Sequence, residues 1–264
     1  MGIKQLIGFS DSRVGYSQTK QMIQFDGRFI TSTSNGKRFD VGEFEFLTLA
    51  ELRSRFKAHQ SDGDLPKFGE INRVHHNKPS RENVQEYMRN TEYNCALFQV
   101  ASQFNLLEMG TPQKTPEDGV DIYWRDPTQG PACATATIGA TLFRNYFIEH
   151  GGFVGQTADQ QINGLRDMLT RLGLREEESY LYENGYVRLS KKNTIACSKK
   201  IKKLSEEERF EIMGELSVGI HWGCQVNNAE TGLEQRVSLI LCSGLPLGGY
   251  ARPGVNLDDA EALG

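Results

Sequence analysis

Two segments that lie far apart in the sequence share one pattern, an apolar strand that ends in small, polar or glycine residues. The first covers residues 95–109 (CALFQVASQFNLLEM), and the second covers residues 236–253 (RVSLILCSGLPLGGYARP). In an open α/β sheet such junctions lie at the carboxyl ends of strands, where ligands bind in the crevice. The pattern therefore predicts an α/β protein whose binding site is formed by these two junctions.

The second junction is rich in glycine, at Gly244, Gly248 and Gly249. Because glycine has no Cβ, backbone N–H groups in such a loop can approach a phosphate closely. The loop is therefore consistent with a nucleotide-like ligand, but glycine is also a common residue of ordinary turns.

Strand and helix signals alternate in the region that carries the junctions. Residues 68–74 and 96–100 have strand patterns, and Ser80 is placed to cap a helix over residues 81–89 between them. The alternation favours a mixed or parallel sheet covered by helices on both faces. Further elements are predicted as an amphipathic helix over residues 156–172, a hairpin over 180–189 about Asn184-Gly185, a helix over 206–216 and strands over 218–226 and 237–242.

The N-terminal part has a different pattern. Residues 22–31 alternate apolar and polar side chains around Asp26-Gly27, which is a strong signal for a two-residue hairpin. A polar run over residues 59–67 is typical of a linker. We therefore predict an N-terminal antiparallel β appendage over residues 1–66 and a main α/β domain over residues 67–264.

Short motifs in the two junctions resemble those of the macrodomain superfamily. In that superfamily a strand with Gly-Asp-Ile precedes a strand that runs into Asn-Ala-Ala-Asn and leucines, and a late strand runs into Ser-Thr-Gly and a further glycine. The corresponding segments here are Gly69-Glu70-Ile71, residues 96–102 with Leu106-Leu107, Ser243-Gly244 and Gly248-Gly249-Tyr250. The asparagine positions differ, since Gln99 takes the first, and Ser102 or Asn105 takes the second.

The resemblance implies a three-layer α/β/α fold with a macrodomain-like mixed sheet. It also implies binding of ADP-ribose or a related nucleotide diphosphate, free or on an ADP-ribosylated macromolecule, and hydrolysis of ADP-ribosyl linkages in some branches. The implied ligand residues are Ser243, Gly244, Gly248, Gly249 and Tyr250 at the diphosphate, Ser102, Gln103 and Asn105 near the distal ribose, and Glu70 near the adenine. Two alternatives stay open: a non-catalytic reader or scaffold, and an unrelated α/β protein without a nucleotide ligand.

Between the junctions, an acidic loop at residues 115–121 and the segment around Asp126 offer carboxylates for acid–base chemistry. Asp118 and Asp126 are the candidates, although Asp118-Gly119 and Asp126-Pro127 are also typical turn dipeptides, which is the commoner role. Gln129 and Gly130 follow at a predicted helix N-terminus, which favours anions. A Cys133 nucleophile in the first turn of this helix is a weaker alternative.

Composition excludes several classes of protein. The 264-residue chain has 38% apolar and 24% charged residues, as expected for a globular protein. It contains no apolar run of the roughly 20 residues that cross a bilayer, and its N-terminus lacks the features of a signal peptide. We therefore predict a cytoplasmic or nuclear protein without a membrane partner.

Metals, cofactors and nucleic acid have little support in the sequence. The cysteines form no C-x-x-C pair and the histidines no H-x-x-x-H pair, so we predict no metal and no cofactor. A net charge of −4 gives no general attraction to nucleic acid. The basic run over residues 188–203 leaves a nucleic-acid partner open, but a solvated loop is the favoured interpretation.

Overall fold

The computed structural model of the protein describes residues 2–61, 84–111, 113–227 and 234–242. Within these residues it contains both helices and strands. The helices are α1 (Ile3–Ile7), α2 (Asp11–Val14), α3 (Tyr16–Met22), α4 (Leu49–Ser61), α5 (Val84–Arg89), α6 (Gln129–Ala136), α7 (Ile138–Tyr146), α8 (Arg166–Arg171), α9 (Lys191–Ile201) and α10 (Glu206–Gly214). The strands are β1 (Ile23–Phe25), β2 (Phe29–Ser32), β3 (Arg38–Asp40), β4 (Glu43–Thr48), β5 (Leu97–Ala101), β6 (Glu149–His150), β7 (Phe153–Val154), β8 (Tyr180–Glu183), β9 (Tyr186–Leu189), β10 (Ser217–Val226) and β11 (Gln235–Cys242).

A four-stranded sheet in the order β4-β10-β11-β5 forms the centre of the protein. The β4–β10 and β10–β11 pairs are antiparallel, and the β11–β5 pair is parallel. The protein therefore has a mixed α/β fold with a mixed sheet, as the sequence predicts. The parallel share is smaller than the alternation of strand and helix signals suggests, because β10 runs against both of its neighbours.

Strand β11 shows why the sheet has one buried face. Its residues alternate between buried and half-buried side chains, so that Val237, Leu239 and Leu241 point into the core. These side chains pack in one cluster with Ala136 of α6 and Ala140 of α7. The helices α6 and α7 thus cover one face of the sheet, and their small residues allow a close approach.

The predicted hairpin about Asp26-Gly27 is confirmed by the antiparallel pairing of β1 with β2, and β3 extends this pair to a second sheet. The second sheet packs on α7, since Ile30 and Phe39 share a core cluster with Leu142 and Tyr146. The next strand, β4, leaves it and joins the central sheet.

The proposed boundary between two domains at residue 66 lies outside the described residues and stays a prediction. The predicted N-terminal range nevertheless supplies an edge strand of the central sheet, because β4 pairs with β10 over residues 43–48. It also shares a core with residues of the C-terminal range. Residues before 66 are therefore integral to the packing of the protein.

The predicted helix over residues 156–172 is wrong for most of its length, because only Arg166–Arg171 is helical. The Gln156 side chain is fully buried and accepts a hydrogen bond from the backbone N–H of Ile162 at 3.0 Å. Its amide also donates to the carbonyl oxygens of Asn105 and Arg144. Such side-chain hydrogen bonds compete with helical ones, and here they fold the segment into an irregular loop.

The basic run is also different from its favoured interpretation as a loop, since much of it forms helix α9, capped by Ser190. The predicted hairpin about Asn184-Gly185 is confirmed by the β8–β9 pair. Helices α4 and α10 begin with capping boxes, in which Thr48 with Glu51 and Ser205 with Glu208 form reciprocal hydrogen bonds. None of the described helices combines the length and apolar character that a membrane span requires.

Candidate functional site

The strands of the two predicted junctions, β5 and β11, end next to each other in the central sheet. Strands β5 and β11 are parallel neighbours, and Cys242 is in register with Ala101 at their carboxyl ends. The backbone N–H of Ser102 donates to the carbonyl oxygen of Cys242 at 3.4 Å. The two strands therefore end side by side, and in open α/β sheets ligands bind in the crevice outside the carboxyl ends of such strands.

Helix α6 begins beside the carboxyl end of β5. At Gly130 a Cβ atom would lie 2.1 Å from the carbonyl oxygen of Ala101, so only glycine permits this approach. The Gln129 amide donates to the carbonyl oxygen of Gln99 and accepts from the N–H of Ala101, and it therefore pairs with β5 as a neighbouring strand would. The first turn of α6, whose N–H groups favour anions, is thereby fixed beside the two junctions.

The predicted ligand residues Gln103 and Asn105 use their amides within the protein. Gln103 donates to the carbonyl oxygen of Met109 and to the Tyr186 hydroxyl, and it accepts from the N–H of Met109. Asn105 is fully buried, donates to Gln161 and accepts from the N–H of Leu107. Both side chains therefore shape the loop after β5.

Ser102 differs from these two residues. Its side chain is 4% exposed, and its hydroxyl has no hydrogen-bond partner among the described residues. A buried hydroxyl without a partner costs free energy that a hydrogen bond from a ligand would recover. Of the ligand residues predicted in this loop, Ser102 is the one that keeps its hydrogen-bonding capacity.

A buried ion pair lies behind the loop. Glu108 and Arg144 are both fully buried at their side chains and are joined at 3.0 Å, and Arg144 also donates to the carbonyl oxygen of Leu106. Burial raises the pKa of Glu108 to about 7 although the Arg144 guanidinium opposes the rise. The Glu108 side chain borders the helix start, since the missing Cβ of Gly130 would lie 3.3 Å from its Cγ atom.

Sequence reasoning missed Glu108 and Arg144. The signal that indicates them is a single charged residue inside each of two apolar segments, at residues 104–109 and 142–147. Charged residues in such segments are buried only when they are paired. Two such segments in one chain therefore indicate a buried pair.

The candidate acid–base residues Asp118 and Asp126 hold local turns. Asp118 accepts from the N–H of Thr115 and from Lys114, and Asp126 accepts from the N–H and the hydroxyl of Thr128. Burial alone would raise the pKa of Asp118, but the Thr115 N–H and the Lys114 ammonium hold it below its usual value. The alternative that both residues are turn residues agrees with these contacts.

Cys133 is not the activated nucleophile that its place near a helix start suggests. The side chain is fully buried, and burial raises the pKa of its thiol to about 12. His221 is also unsuited to act as a general base, because it is fully buried and burial lowers its pKa well below the usual value. Both side chains belong to the packed interior.

The remaining predicted ligand residues lie outside the described residues. They are Glu70, Ser243, Gly244, Gly248, Gly249 and Tyr250. The described part of the candidate site therefore comprises the carboxyl ends of β5 and β11, the start of α6 and the loop over residues 102–109.

Comparison of the chain with protein-family models, with curated proteins and with solved structures finds no significant match. A function for the protein is therefore inferred from the geometry of this site.

Proposed function

We propose that the protein binds ADP-ribose or a related nucleotide diphosphate at the carboxyl ends of β5 and β11, beside the start of α6. The observation that carries the proposal is the parallel pairing of β5 with β11, which brings Ala101 and Cys242 into register at the carboxyl ends of these strands. A ligand crevice is expected at such strand ends. A three-layer macrodomain-like fold is part of this proposal.

In this proposal the diphosphate is bound by the glycine-rich segment after β11 and by the start of α6. The glycines at positions 244, 248 and 249 allow backbone N–H groups to approach phosphate oxygens, and the Gly130 contact fixes the α6 dipole nearby. The Ser102 hydroxyl, which has no partner among the described residues, takes a ligand hydroxyl of the distal ribose.

The contacts favour a reader over a hydrolase. Both carboxylates proposed for acid–base work are engaged in the turns that they cap, at Asp118 and Asp126. A general base must lie within hydrogen-bond reach of the proton that it abstracts. We therefore propose binding of ADP-ribose or of an ADP-ribosylated macromolecule as the activity, with hydrolysis as the second candidate.

Calorimetric titration with ADP-ribose tests this function, with AMP and NAD as comparison ligands. Ser102→Ala is the informative variant, because it removes a proposed ligand contact and no hydrogen bond to any residue that the structure describes. We expect its affinity for ADP-ribose to fall about fivefold to tenfold, as for one hydrogen bond. Ser238→Ala, at the opposite end of the same strand pair, removes a hydroxyl that accepts a hydrogen bond from the Gly223 N–H. It serves as the control for loss of a serine hydroxyl away from the site and should bind like the wild type.

Three further variants test the binding site and separate a reader from a hydrolase. Gly248→Glu places a carboxylate in the glycine-rich segment and should abolish binding. Asp118→Asn and Asp126→Asn should leave binding within about twofold of the wild type. Absence of ADP-ribose binding by the wild type would refute the proposal, and turnover of an ADP-ribosylated protein that is lost in either asparagine variant would establish the hydrolase instead.

A further inference from the structure

A cavity of about 590 Å³ lies near the amino-terminal end of β4, at the end of the central sheet opposite to the candidate site. Glu43, the first residue of β4, lines it. Both β4 and β11 run antiparallel to β10 and therefore run in the same direction. The start of β4 and the end of β11 at Cys242 thus lie at opposite ends of the strands. The cavity is therefore separate from the candidate site described above, and its volume is in the range of small-molecule sites.

Phenylalanine rings form the wall of this cavity. Each of the four rings is half-buried, and they belong to Phe25, Phe44, Phe143 and Phe147. The rings contact one another in tilted pairs, with the Phe143 centroid 5.2 Å from that of Phe25 and 5.5 Å from that of Phe44. This wall joins three segments of the chain, and its ring planes are inclined to one another.

Behind the wall, the fully buried His221 ring packs against Phe44 and Phe143 at centroid distances of 4.8 Å and 5.8 Å. Its Nδ1 atom is 3.2 Å from the carbonyl oxygen of Val41, which also lines the cavity. The rings are thus supported from the sheet side. A supported aromatic wall keeps its shape without a ligand, which lowers the free-energy cost of binding.

The charge at the rim is negative. Glu43 and Glu149 line the cavity with exposed side chains, and neither forms an ion pair with any residue that the structure describes. Arg28, the cationic residue among those lining the cavity, is bound at 3.1 Å to Asp40, whose side chain is 1% exposed. Asp40 also pairs with Arg236 at 2.8 Å. The three charged residues that line the cavity, Arg28, Glu43 and Glu149, therefore carry one net negative charge beside the aromatic wall.

We propose that this cavity binds a small organic cation, an amine or quaternary ammonium with an apolar body. Aromatic faces attract cations through the ring quadrupole, and the attraction is strongest where the cation is desolvated. The apolar body of the ligand packs on the four rings, while the ammonium group lies between the rings and the carboxylates of Glu43 and Glu149.

The experiment is titration calorimetry of the full chain with benzyltrimethylammonium. Benzyl alcohol is the neutral probe and benzenesulfonate the anionic probe of similar size. We expect the cation to bind at least about tenfold more tightly than either probe. The affinity should also fall as NaCl is raised from low to high concentration, because salt screens the two exposed carboxylates.

Three variants assign the binding to this cavity. Glu43→Gln with Glu149→Gln removes both charges with little change of shape, and Phe147→Leu replaces one ring by an aliphatic side chain. Each should weaken binding of benzyltrimethylammonium about fivefold or more. Glu86→Gln with Glu177→Gln, which removes two exposed charges that do not line the cavity, is the matched control and should bind like the wild type.

Equal binding of the cation and of benzyl alcohol would overturn the proposal, because the charge would then play no part. Unchanged affinity in the doubly substituted Glu43/Glu149 variant would also overturn it, as would absence of cation binding. None of these outcomes depends on ADP-ribose, since that ligand is proposed to bind at the carboxyl ends of β5 and β11.

Discussion

Ser102 and Glu108 lie in the same loop after β5, and each has a buried oxygen without a hydrogen-bond partner among the described residues. Arg144, which bonds to the other oxygen of Glu108, has such an atom at Nη1. Buried polar atoms of this kind are few in native proteins and each costs free energy. Three such atoms lie near the start of α6, so this part of the interior can form further hydrogen bonds.

Glu108 determines one pH dependence of stability. Its folded-state pKa of about 7 lies above the ordinary value of 4.5, so the folded protein holds the proton more tightly than the unfolded chain. Stability is therefore lost as pH rises between these two values. We expect the free energy of unfolding of the wild type, relative to that of Glu108→Gln, to fall by about 2 to 3 kcal/mol from pH 5 to pH 8.

Urea unfolding of both proteins across this pH range measures the difference. Glu108→Gln combined with Arg144→Met provides a second reference, which removes both charges of the buried pair. If the relative stability of the wild type instead rose with pH, the attraction of Arg144 would outweigh burial, and the assignment of Glu108 as a carboxyl with a raised pKa would be wrong.

At the scale of elements, the contact between α6 and β5 decides the shape of the candidate site. Gly130 allows the helix start to reach the carbonyl oxygen of Ala101, and the Gln129 amide pairs with the strand backbone. The helix therefore meets the strand where β5 ends. Both residues, predicted as ligand residues, have contacts that place the helix.

The Gly130 contact gives a prediction whose sign separates packing from helix propensity. Alanine favours a helix by about 1 kcal/mol over glycine, yet a methyl group at residue 130 would lie 2.1 Å from the Ala101 carbonyl oxygen. We therefore expect Gly130→Ala to destabilise the protein by roughly 3 kcal/mol. Chemical denaturation measures this change.

Gly110→Ala is the control, because among the described residues a Cβ at Gly110 would meet Asp126 alone, at an ordinary 3.7 Å. Its free energy of unfolding should stay within about 0.5 kcal/mol of the wild type. A Gly130→Ala protein as stable as this control would show that α6 does not approach β5 so closely.

At the scale of the whole molecule, the N-terminal residues and the later helices share one interior. Asp11 is fully buried and accepts hydrogen bonds from the N–H groups of Val120 and Asp121 and from the Tyr146 hydroxyl. The same region contributes apolar side chains to the cluster around α7, and β4 to the central sheet. These contacts connect parts of the chain that are far apart in sequence.

Deletion of residues 1–66 tests whether the proposed main domain folds alone. Without this range the protein loses the β4–β10 pairing and the apolar cover of α7, so we expect residues 67–264 to lack a cooperative thermal transition. Circular dichroism and calorimetry follow the transition, with the full chain as the reference. Cooperative unfolding of the shortened chain would support the boundary at residue 66 as a division between independent domains.

Local signals in the sequence determined many of the elements. The turns at Asp26-Gly27 and Asn184-Gly185 and the capping box at Ser205-Glu208 could be predicted because each involves residues close together in the chain. The strands of the two junctions were likewise predicted from their apolar pattern, and they form β5 and β11. The parallel pairing of these two strands is a feature of the tertiary structure.

Only the tertiary structure decided the features that depend on distant partners. Residues 156–165 have the apolar spacing of a helix, but the buried Gln156 amide binds backbone groups from three parts of the chain and prevents one. Strand β4 has the pattern of the N-terminal sheet, yet it pairs with β10. The Glu108–Arg144 pair joins two apolar segments that are separate in sequence. Local patterns determine which elements form, whereas their partners depend on packing, because burial and hydrogen bonding are satisfied by the whole chain at once.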